Sequence, residues 1–210
     1  MTLPFSNEGA RRSKNARLGL DKLRKSADTV IVIPNDKLLQ EEIMNLPLNT
    51  AFRQADEILG NAIRCMTEIT SQGGLVNIDF ADMRSIMDGG GVAMIGMGEG
   101  QGANRATDAV SAALQSPLLE LDIANSEGAL VNVTGGDDMT LQEAHEVVRE
   151  VHSKINKDAR IIWGASIDST LEHQIRVMLV VTGVKSSQIL GPPDGVDDGM
   201  QSKYGIDFVH

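Results

Sequence analysis

The chain of 210 residues carries 19 Lys and Arg against 29 Asp and Glu, which gives a formal charge of −10, and 41% of its residues are hydrophobic. This composition is that of an ordinary globular protein and excludes a largely disordered chain. No apolar run approaches the roughly 20 residues of a membrane-spanning helix, so direct membrane insertion is not expected. The single cysteine, Cys65, excludes internal disulfides and suits a reducing cytoplasm.

The charge is unevenly distributed along the chain. Residues 1–25 hold seven bases and two acids, a net charge of +5, which leaves −15 for the other 185 residues. A basic end of this kind can bind nucleic acid, a membrane surface or a phosphate group, or it can be the solvated face of a helix. Because only 3% of the residues are aromatic, bases would find few stacking partners, and no nucleic-acid partner is expected.

The N-terminal segment begins as half of an α/β unit. Residues 8–26 predict a helix, and the apolar, β-branched run 29–33 predicts a strand that is buried on both faces. Pro34 ends this strand, and Asn35 and Asp36 supply a turn or a helix cap. A helix needs a sheet to pack on, and the other strands of that sheet are not evident in this segment.

Regular elements are predicted along most of the remaining chain. Apolar residues recur at helical spacing over 50–69, which predicts a helix of roughly 30 Å. Further helices are predicted over 79–87, 104–115 and 140–155, and strands over 92–95, 129–134, 160–164 and 176–182. After residue 184 the chain is rich in Gly, Pro and Asp, which predicts a mobile linker that ends in a short peptide.

A glycine-rich run, GMGEGQG, occupies residues 96–102 between a predicted strand and a predicted helix. Phosphate-binding loops occur at such places, because glycine lets backbone N–H groups approach an anion at a helix N-terminus. The run matches neither the Walker pattern nor GxGxxG, and the carboxylate of Glu99 would repel a phosphate. A flexible connection between strand and helix is therefore the favoured interpretation.

Two acids and an amide precede the helix predicted from residue 79. Asp79 and Asp82 are three residues apart, so both carboxylates lie on one face of that helix. Acids at this position stabilise a helix N-terminus, but with Asn77 beside them they can also polarise a water molecule. Both interpretations remain open from the residues alone. No HxxxH or HExxH spacing occurs, and no dedicated metal site is expected.

Several long phrases resemble the FtsZ family of prokaryotic tubulin homologues, and the ending SSQILG…YGIDFV is similar to archaeal members. The phrases are LPFSNEGARR (3–12), DTVIVIPNDKLL (28–39), AFRQADEIL (51–59), GLVNIDFADMRSIM (74–87), AMIGMGEG (93–100), RATDAVSAALQSPLL (105–119) and VNVTGGDDMTLQE (131–143). The resemblance runs from about residue 3 to residue 184. In this family the phosphate-binding loop lies in an N-terminal half that the chain does not contain, so we expect a fragment or one partner of a split protein.

The resemblance implies a tubulin-like α/β fold in four parts. A remnant of the Rossmann-like GTPase domain (1–49) precedes a long central helix (50–73). A C-terminal GTPase-activating domain with a four-stranded mixed sheet packed by helices follows (74–184), and residues 185–210 form a flexible linker and a C-terminal peptide.

The family's nucleotide contacts can be carried over to five positions. Glu8 and Arg12 match residues that contact the ribose and phosphates of GTP or GDP. Asn35, Phe52 and Asp56 match residues that hold the guanine base, Phe52 by stacking and Asp56 by accepting from the ring N–H groups.

Asn77, Asp79 and Asp82 match the synergy loop (74–83), which one subunit inserts into the GTP site of the next. There the acids help to orient the attacking water and a cation, with Mg²⁺ in the assembled site. The resemblance thus implies a GTPase that polymerises head to tail into the division ring in the cytoplasm, with this chain inactive on its own. The alternatives are a filament-capping or regulatory fragment without GTPase activity, and a metal-dependent hydrolase that uses Asp79 and Asp82.

The terminal peptide YGIDFVH carries Tyr204, Ile206 and Phe208 at alternate positions. By the resemblance, it docks on a membrane-tethering division protein.

Overall fold

A computed structural model describes residues 1–38, 74–116 and 126–184, together with single positions within 50–67 and at 119 and 123. The helices are α1 (Ala10–Arg24), α2 (Phe80–Met87), α3 (Arg105–Leu114) and α4 (Leu141–Lys154). The strands are β1 (Thr2–Leu3), β2 (Thr29–Ile31), β3 (Ile33–Pro34), β4 (Gly91–Gln101), β5 (Gly128–Gly135), β6 (Arg160–Ile167) and β7 (Gln174–Thr182).

A mixed sheet with the strand order β2-β4-β7-β5-β6 forms the centre of the described fold. Its outer pairs, β2 with β4 and β5 with β6, are parallel, whereas β7 runs antiparallel to both of its neighbours. Four strands come from the predicted C-terminal domain. The fifth, β2, comes from the N-terminal segment and lies at one edge, while β1 pairs in parallel with β3 outside this sheet.

Both faces of the sheet are covered by apolar side chains. On one face α3 and α4 pack against side chains such as Val131, Val133 and Leu179. On the other face Leu130 and Val180 pack with Ile78. Because both faces of the sheet are covered, β5 is buried along its whole length, and its sequence is a mostly apolar run. The arrangement confirms the predicted α/β class.

The predicted elements agree closely with the observed ones. The four predicted strands between 92 and 182 all lie within longer observed strands. The helices predicted over 79–87, 104–115 and 140–155 have ends that agree with the observed ends to within one residue. Every described position between 50 and 67 is helical. A capping box begins α4, with the Thr140 hydroxyl accepting from the Glu143 N–H at 3.3 Å. No helix in the described ranges is both long and apolar enough to span a bilayer.

The glycine-rich run is not a loop, and that prediction was wrong. β4 continues through it to Gln101, so that Gly96, Gly98 and Gly100 fall on one face of the strand. A Cβ atom at Gly98 would overlap the Ala109 carbonyl oxygen of α3, and the other two glycines meet the backbone of the same helix. The glycines therefore allow close packing of strand and helix, and they leave the hydrolase alternative without a phosphate-binding loop.

A buried guanidinium joins the start of α3 to the start of α4. Arg105, with a side chain only 8% exposed, donates from Nε to Glu143 and from Nη1 to Asp138, both at 2.6 Å. The hydrogen bond from Arg105, aided by those from Thr140, lowers the pKa of Glu143 from 4.5 to about 2. Contact with Arg105, and then with His173, also lowers the pKa of Asp138.

Replacing Glu143 with Gln is expected to flatten the acid limb of the stability curve. The folded-state pKa of Glu143 is depressed, so its stabilisation is complete above about pH 5 and is lost as the pH falls toward 2. The native chain should lose up to about 3 kcal/mol of unfolding free energy across that window from this group, and E143Q much less. Gln still serves the capping box. Urea titrations at several pH values measure the difference, with Glu150→Gln on the same helix as the control; equal slopes for E143Q and native protein would contradict the assignment.

Candidate functional site

The segment 74–79 runs beside the outer edge of β6 and is held there by its backbone. Val76 donates to the Ala165 carbonyl oxygen at 3.2 Å and accepts from the Ala165 N–H at 3.0 Å. A Cβ atom at Gly74 would overlap that same carbonyl oxygen, so only glycine permits the approach. The segment is thus fixed to the sheet immediately before α2 begins.

Alternation along this segment separates buried from exposed side chains. Ile78 is 4% exposed and packs into the core, where Gly164 leaves it room: a Cβ there would lie 2.9 Å from Ile78. Successive side chains of an extended segment point to opposite sides. Leu75, Asn77 and Asp79 are accordingly exposed. Burial of Ile78 therefore fixes which way the polar side chains point.

The two acids form a reciprocal capping box at the start of α2. Asp79 is the N-cap, and its Oδ1 accepts from the Asp82 N–H at 2.7 Å, while the Asp79 N–H donates to the Asp82 carboxylate at 3.4 Å. The capping interpretation is therefore confirmed. Since each carboxylate still has an exposed surface and unused lone pairs, capping leaves both able to bind a water molecule from outside the chain.

Asn77 tightens the turn that precedes the acids. Its Oδ1 accepts from the Gly74 N–H at 2.5 Å, and the residue is exposed. The structure thus brings together all three residues that the resemblance assigned to the synergy loop, on one short segment outside β6.

Two large apolar side chains flank the acids. Leu75 is 68% exposed and Phe80 is 70% exposed, the two highest values among the large apolar side chains in the described residues. Apolar side chains grouped at an exposed polar site are typical of a surface that is covered by a partner. Neither side chain was predicted as part of the site. The sequence GLVNIDF has apolar residues at 75, 76, 78 and 80, on both faces of an extended segment. One buried face cannot accommodate all of them, and this pattern could have indicated an exposed apolar surface.

Glu8 and Arg12 lie at the other end of the described fold, around the start of α1. The Glu8 carboxylate accepts from the Phe5 N–H at 3.0 Å and pairs with the Arg12 guanidinium. The Phe5 N–H, followed by Arg12, lowers the pKa of Glu8. The Arg12 side chain is 69% exposed, so it can also meet an anion.

Asn35 directly follows β3, as Glu8 follows β1. Since β1 and β3 are parallel, both residues follow the carboxyl ends of their strands, on the same edge of the pair. Open α/β sheets bind ligands at this edge. Asp56 is exposed at a helical position, and Phe52 lies outside the described residues. Glu8 and Asn35 therefore lie at the same edge of the β1–β3 pair, whereas the acidic segment lies beside β6.

The sheet order separates these two groups of residues. β2, which leads directly into β3, is at one edge of the sheet, and β6, which carries the acidic segment, is at the other. Four strand spacings of roughly 4.8 Å put these edges about 19 Å apart. Carboxylates across that distance cannot position a water molecule on a ligand held beside β3 of the same chain.

Metal ligands are not clustered in the described part of the chain. No group of three or more His, Cys, Asp or Glu side chains within those residues is arranged to hold a metal ion. Asp79 and Asp82 offer the oxygen ligands that Mg²⁺ prefers, but a complete site needs further oxygens, such as those of a phosphate.

Comparisons with known proteins are consistent with this arrangement. The FtsZ family, C-terminal domain, matches residues 91–185. "Cell division protein FtsZ 1" of Archaeoglobus fulgidus is 54% identical over 209 residues, which covers 100% of this chain and 56% of the relative. "Cell division protein FtsZ" of Methanothermobacter thermautotrophicus is 56% identical over 190 residues, which covers 90% of this chain and 50% of the relative.

Among solved structures, an empty FtsZ dimer from M. jannaschii matches with a TM-score of 0.82 at 52% identity, covering 87% of this chain and 53% of that one. The chain thus spans about half the length of the curated relatives it matches.

Proposed function

The chain belongs to the FtsZ family through its C-terminal domain, and we propose that it completes the GTP site of a neighbouring subunit in a tubulin-like cell-division GTPase. The observation that carries the proposal is the exposed acidic segment 77–82, held by backbone hydrogen bonds to β6 at the edge of the sheet opposite to Glu8 and Asn35. A site divided in this way becomes complete only when two subunits meet.

The chemistry of GTP hydrolysis suits the acids of this segment. Phosphoryl transfer depends mainly on positioning an in-line water molecule and on stabilising charge. Carboxylates of Asp79 and Asp82 would accept hydrogen bonds from that water and orient it, with the Asn77 amide beside them. Asp79 and Asp82 would help to hold Mg²⁺, which would supply positive charge close to the phosphate oxygens.

Phe80 and Leu75 support a subunit contact at the same place. This surface combines exposed apolar side chains with two acids. A partner that covers it must bring cations or polar hydrogens, because the carboxylates would otherwise be buried without a partner. The acidic segment on one subunit would meet the nucleotide on the next, so the contact is head to tail and propagates into a filament. The solved M. jannaschii relative is described as a dimer.

The nucleotide half of the site would use residues at the carboxyl edge of β1 and β3. Glu8 and Arg12 would contact the ribose and phosphates, and Asn35, Phe52 and Asp56 the guanine of GTP or GDP. The domain boundaries after residues 49, 73 and 184, the location at the division site, and the attachment of the terminal peptide to a membrane-tethering protein are part of the same proposal.

A complementation assay tests the proposal. The acceptor is the full-length A. fulgidus relative with the residues that align with Asp79 and Asp82 replaced by alanine, a change designed to stop it from completing a neighbour's site. Adding this chain should raise GTP turnover by about 10²-fold over the acceptor alone, the range for one positioned acid–base group. The chain alone should show no turnover. Binding to the acceptor without any rise in turnover would overturn the proposal and leave filament capping as the function.

A further inference from the structure

We propose that residues 204–208 of this chain dock as an added strand along β6, in a groove between that edge and α4. The proposal goes beyond the GTPase function and does not require it. The groove has a volume of about 790 Å³ and is bordered by one side of α4 and by Trp163 of β6.

The wall of the groove is an apolar stripe on α4 that the core does not use. The core stripe of this helix is Ala144, Val147 and Val151. Leu141 and Val148 belong to a second stripe at the same helical spacing; Leu141 is 63% exposed, and Val148 is half-buried. An apolar stripe of this kind on a helix beside a sheet edge is suited to receive side chains of an added strand.

The floor of the groove is a strand edge with backbone groups that face outward. Val76 exchanges both backbone hydrogen bonds with Ala165, so the odd-numbered residues of β6 point their N–H and C=O groups away from β5. Ile161 and Trp163 share that direction, and within the described residues no strand pairs with them. An extended peptide can form main-chain hydrogen bonds at such an edge.

Trp163 marks the place where side chains of the peptide would enter. The indole is half-buried and contacts the His145 ring edge to face, with centroids 5.4 Å apart. A partly exposed indole gains free energy when further apolar surface covers it, in proportion to the area removed from water.

The sequence of the terminal peptide fits this groove. Tyr204, Ile206 and Phe208 alternate with Gly205 and Asp207, so an extended peptide presents its three large side chains on one face. Main-chain pairing supplies affinity in strand addition, and pockets for alternate side chains supply specificity.

The peptide can reach the groove from the end of β7. Thr182 pairs with Gly128, which pairs with Arg160, so the chain leaves the sheet two strands, or about 10 Å, from the start of β6. Nineteen residues, 185–203, separate Val184 from Tyr204, and a chain of that length spans up to about 65 Å. The linker is therefore long enough with ample slack.

A docked peptide would lie next to the acidic segment, because Trp163 is two residues from Ala165, the residue that holds Val76. It would then obstruct the approach of a neighbouring subunit until another protein removed it. This regulatory step rests on the proposed function, whereas docking itself does not.

The chain contains one tryptophan and one tyrosine, Trp163 and Tyr204, which form a native pair for energy transfer. Excitation of the tyrosine in the full chain without nucleotide should sensitise Trp163 emission, and unfolding in urea should abolish it. The double variant Ile206→Asp, Phe208→Asp keeps both chromophores and should reduce the sensitised emission to the unfolded level. Val209→Asp, on the opposite face of the extended peptide, should leave it unchanged.

The groove is tested from its other side by Leu141→Asp, a substitution at an exposed position that spares the core, with Val148→Asp as a second variant. Both should abolish the sensitised emission. Emission that is absent in the native chain, that survives both groove variants, or that rises with protein concentration, which would indicate docking on a second copy, would overturn the proposal. No GTP is present, so failure here is distinct from failure of the complementation assay.

Discussion

A double variant with Asp79→Asn and Asp82→Asn is expected to fold and to bind its partner subunit, yet to restore almost no GTP turnover in the complementation assay. Asn is as good an N-cap as Asp, so the hydrogen bond from Asp79 Oδ1 to the Asp82 N–H has a direct replacement. The two negative charges are lost. If the carboxylates orient the attacking water, turnover should fall by about 10²-fold or more.

Two further variants separate the charge from the cap. Asp79→Ala removes both the charge and the cap. It should lower the unfolding free energy by about 1 kcal/mol and also reduce turnover. Asp88→Asn, at an exposed acid just after α2, should change neither quantity. Denaturant unfolding and single-turnover GTP hydrolysis measure the two effects separately. Normal turnover by the double asparagine variant would mean that the acids of this segment serve only to cap α2.

Much of the fold could be predicted because its determinants are local. The apolar period of α4 and the capping box of Thr140 and Glu143 lie within 15 residues of one another, and both are present in the structure. The apolar run of β5 likewise reflects burial on both faces. Elements of this kind follow from spacing and residue type, without knowledge of their neighbours.

The edge strand β2 could be predicted as a strand but not placed. Its partner, Gly91–Ala93, is about 60 residues away, and a short apolar strand carries no local mark that specifies which strand it will join. The sheet therefore has β2 as a fifth strand, where the resemblance implied a four-stranded domain and a separate remnant.

The acidic segment was partly predictable for the same reason. Asp79 and Asp82 stand three residues apart before an apolar helix, a pattern that indicates a cap whatever else it does. Its position at the edge opposite to Glu8 and Asn35 follows only from the strand order, which is a property of the whole sheet. That separation is what makes hydrolysis dependent on a second subunit in our proposal.

The glycine run was misread because glycine serves loops and close-packed strands alike. Its three alternate glycines have the period of a strand, but what makes them necessary is the backbone of α3, which follows later in the chain. Their role is thus steric, and it leads to the prediction with the largest effect on stability.

Replacing Gly98 with Val is expected to prevent the native packing of β4 on α3. A Cβ atom there would overlap the Ala109 carbonyl oxygen and the Ala113 nitrogen, both backbone atoms that cannot move without displacing the helix. Gly98→Ala should already cost about 3 kcal/mol, the upper part of the range for overpacking, and Val more. Domains of this size are typically stable by only about 5–15 kcal/mol, so the valine variant should show little cooperative unfolding.

Gly19→Ala is the matched control, and its expected change in stability has the opposite sign. Gly19 is inside α1, and among the described residues outside that helix an added Cβ would meet only the Met1 methyl group, at 4.0 Å. Alanine there should stabilise the chain by about 0.5–1 kcal/mol, because it restricts the unfolded backbone and favours helix. Urea unfolding followed by circular dichroism measures both variants. A Gly98→Ala protein as stable as the native chain would show that α3 can retreat from β4, and that the glycines of β4 are not required for packing.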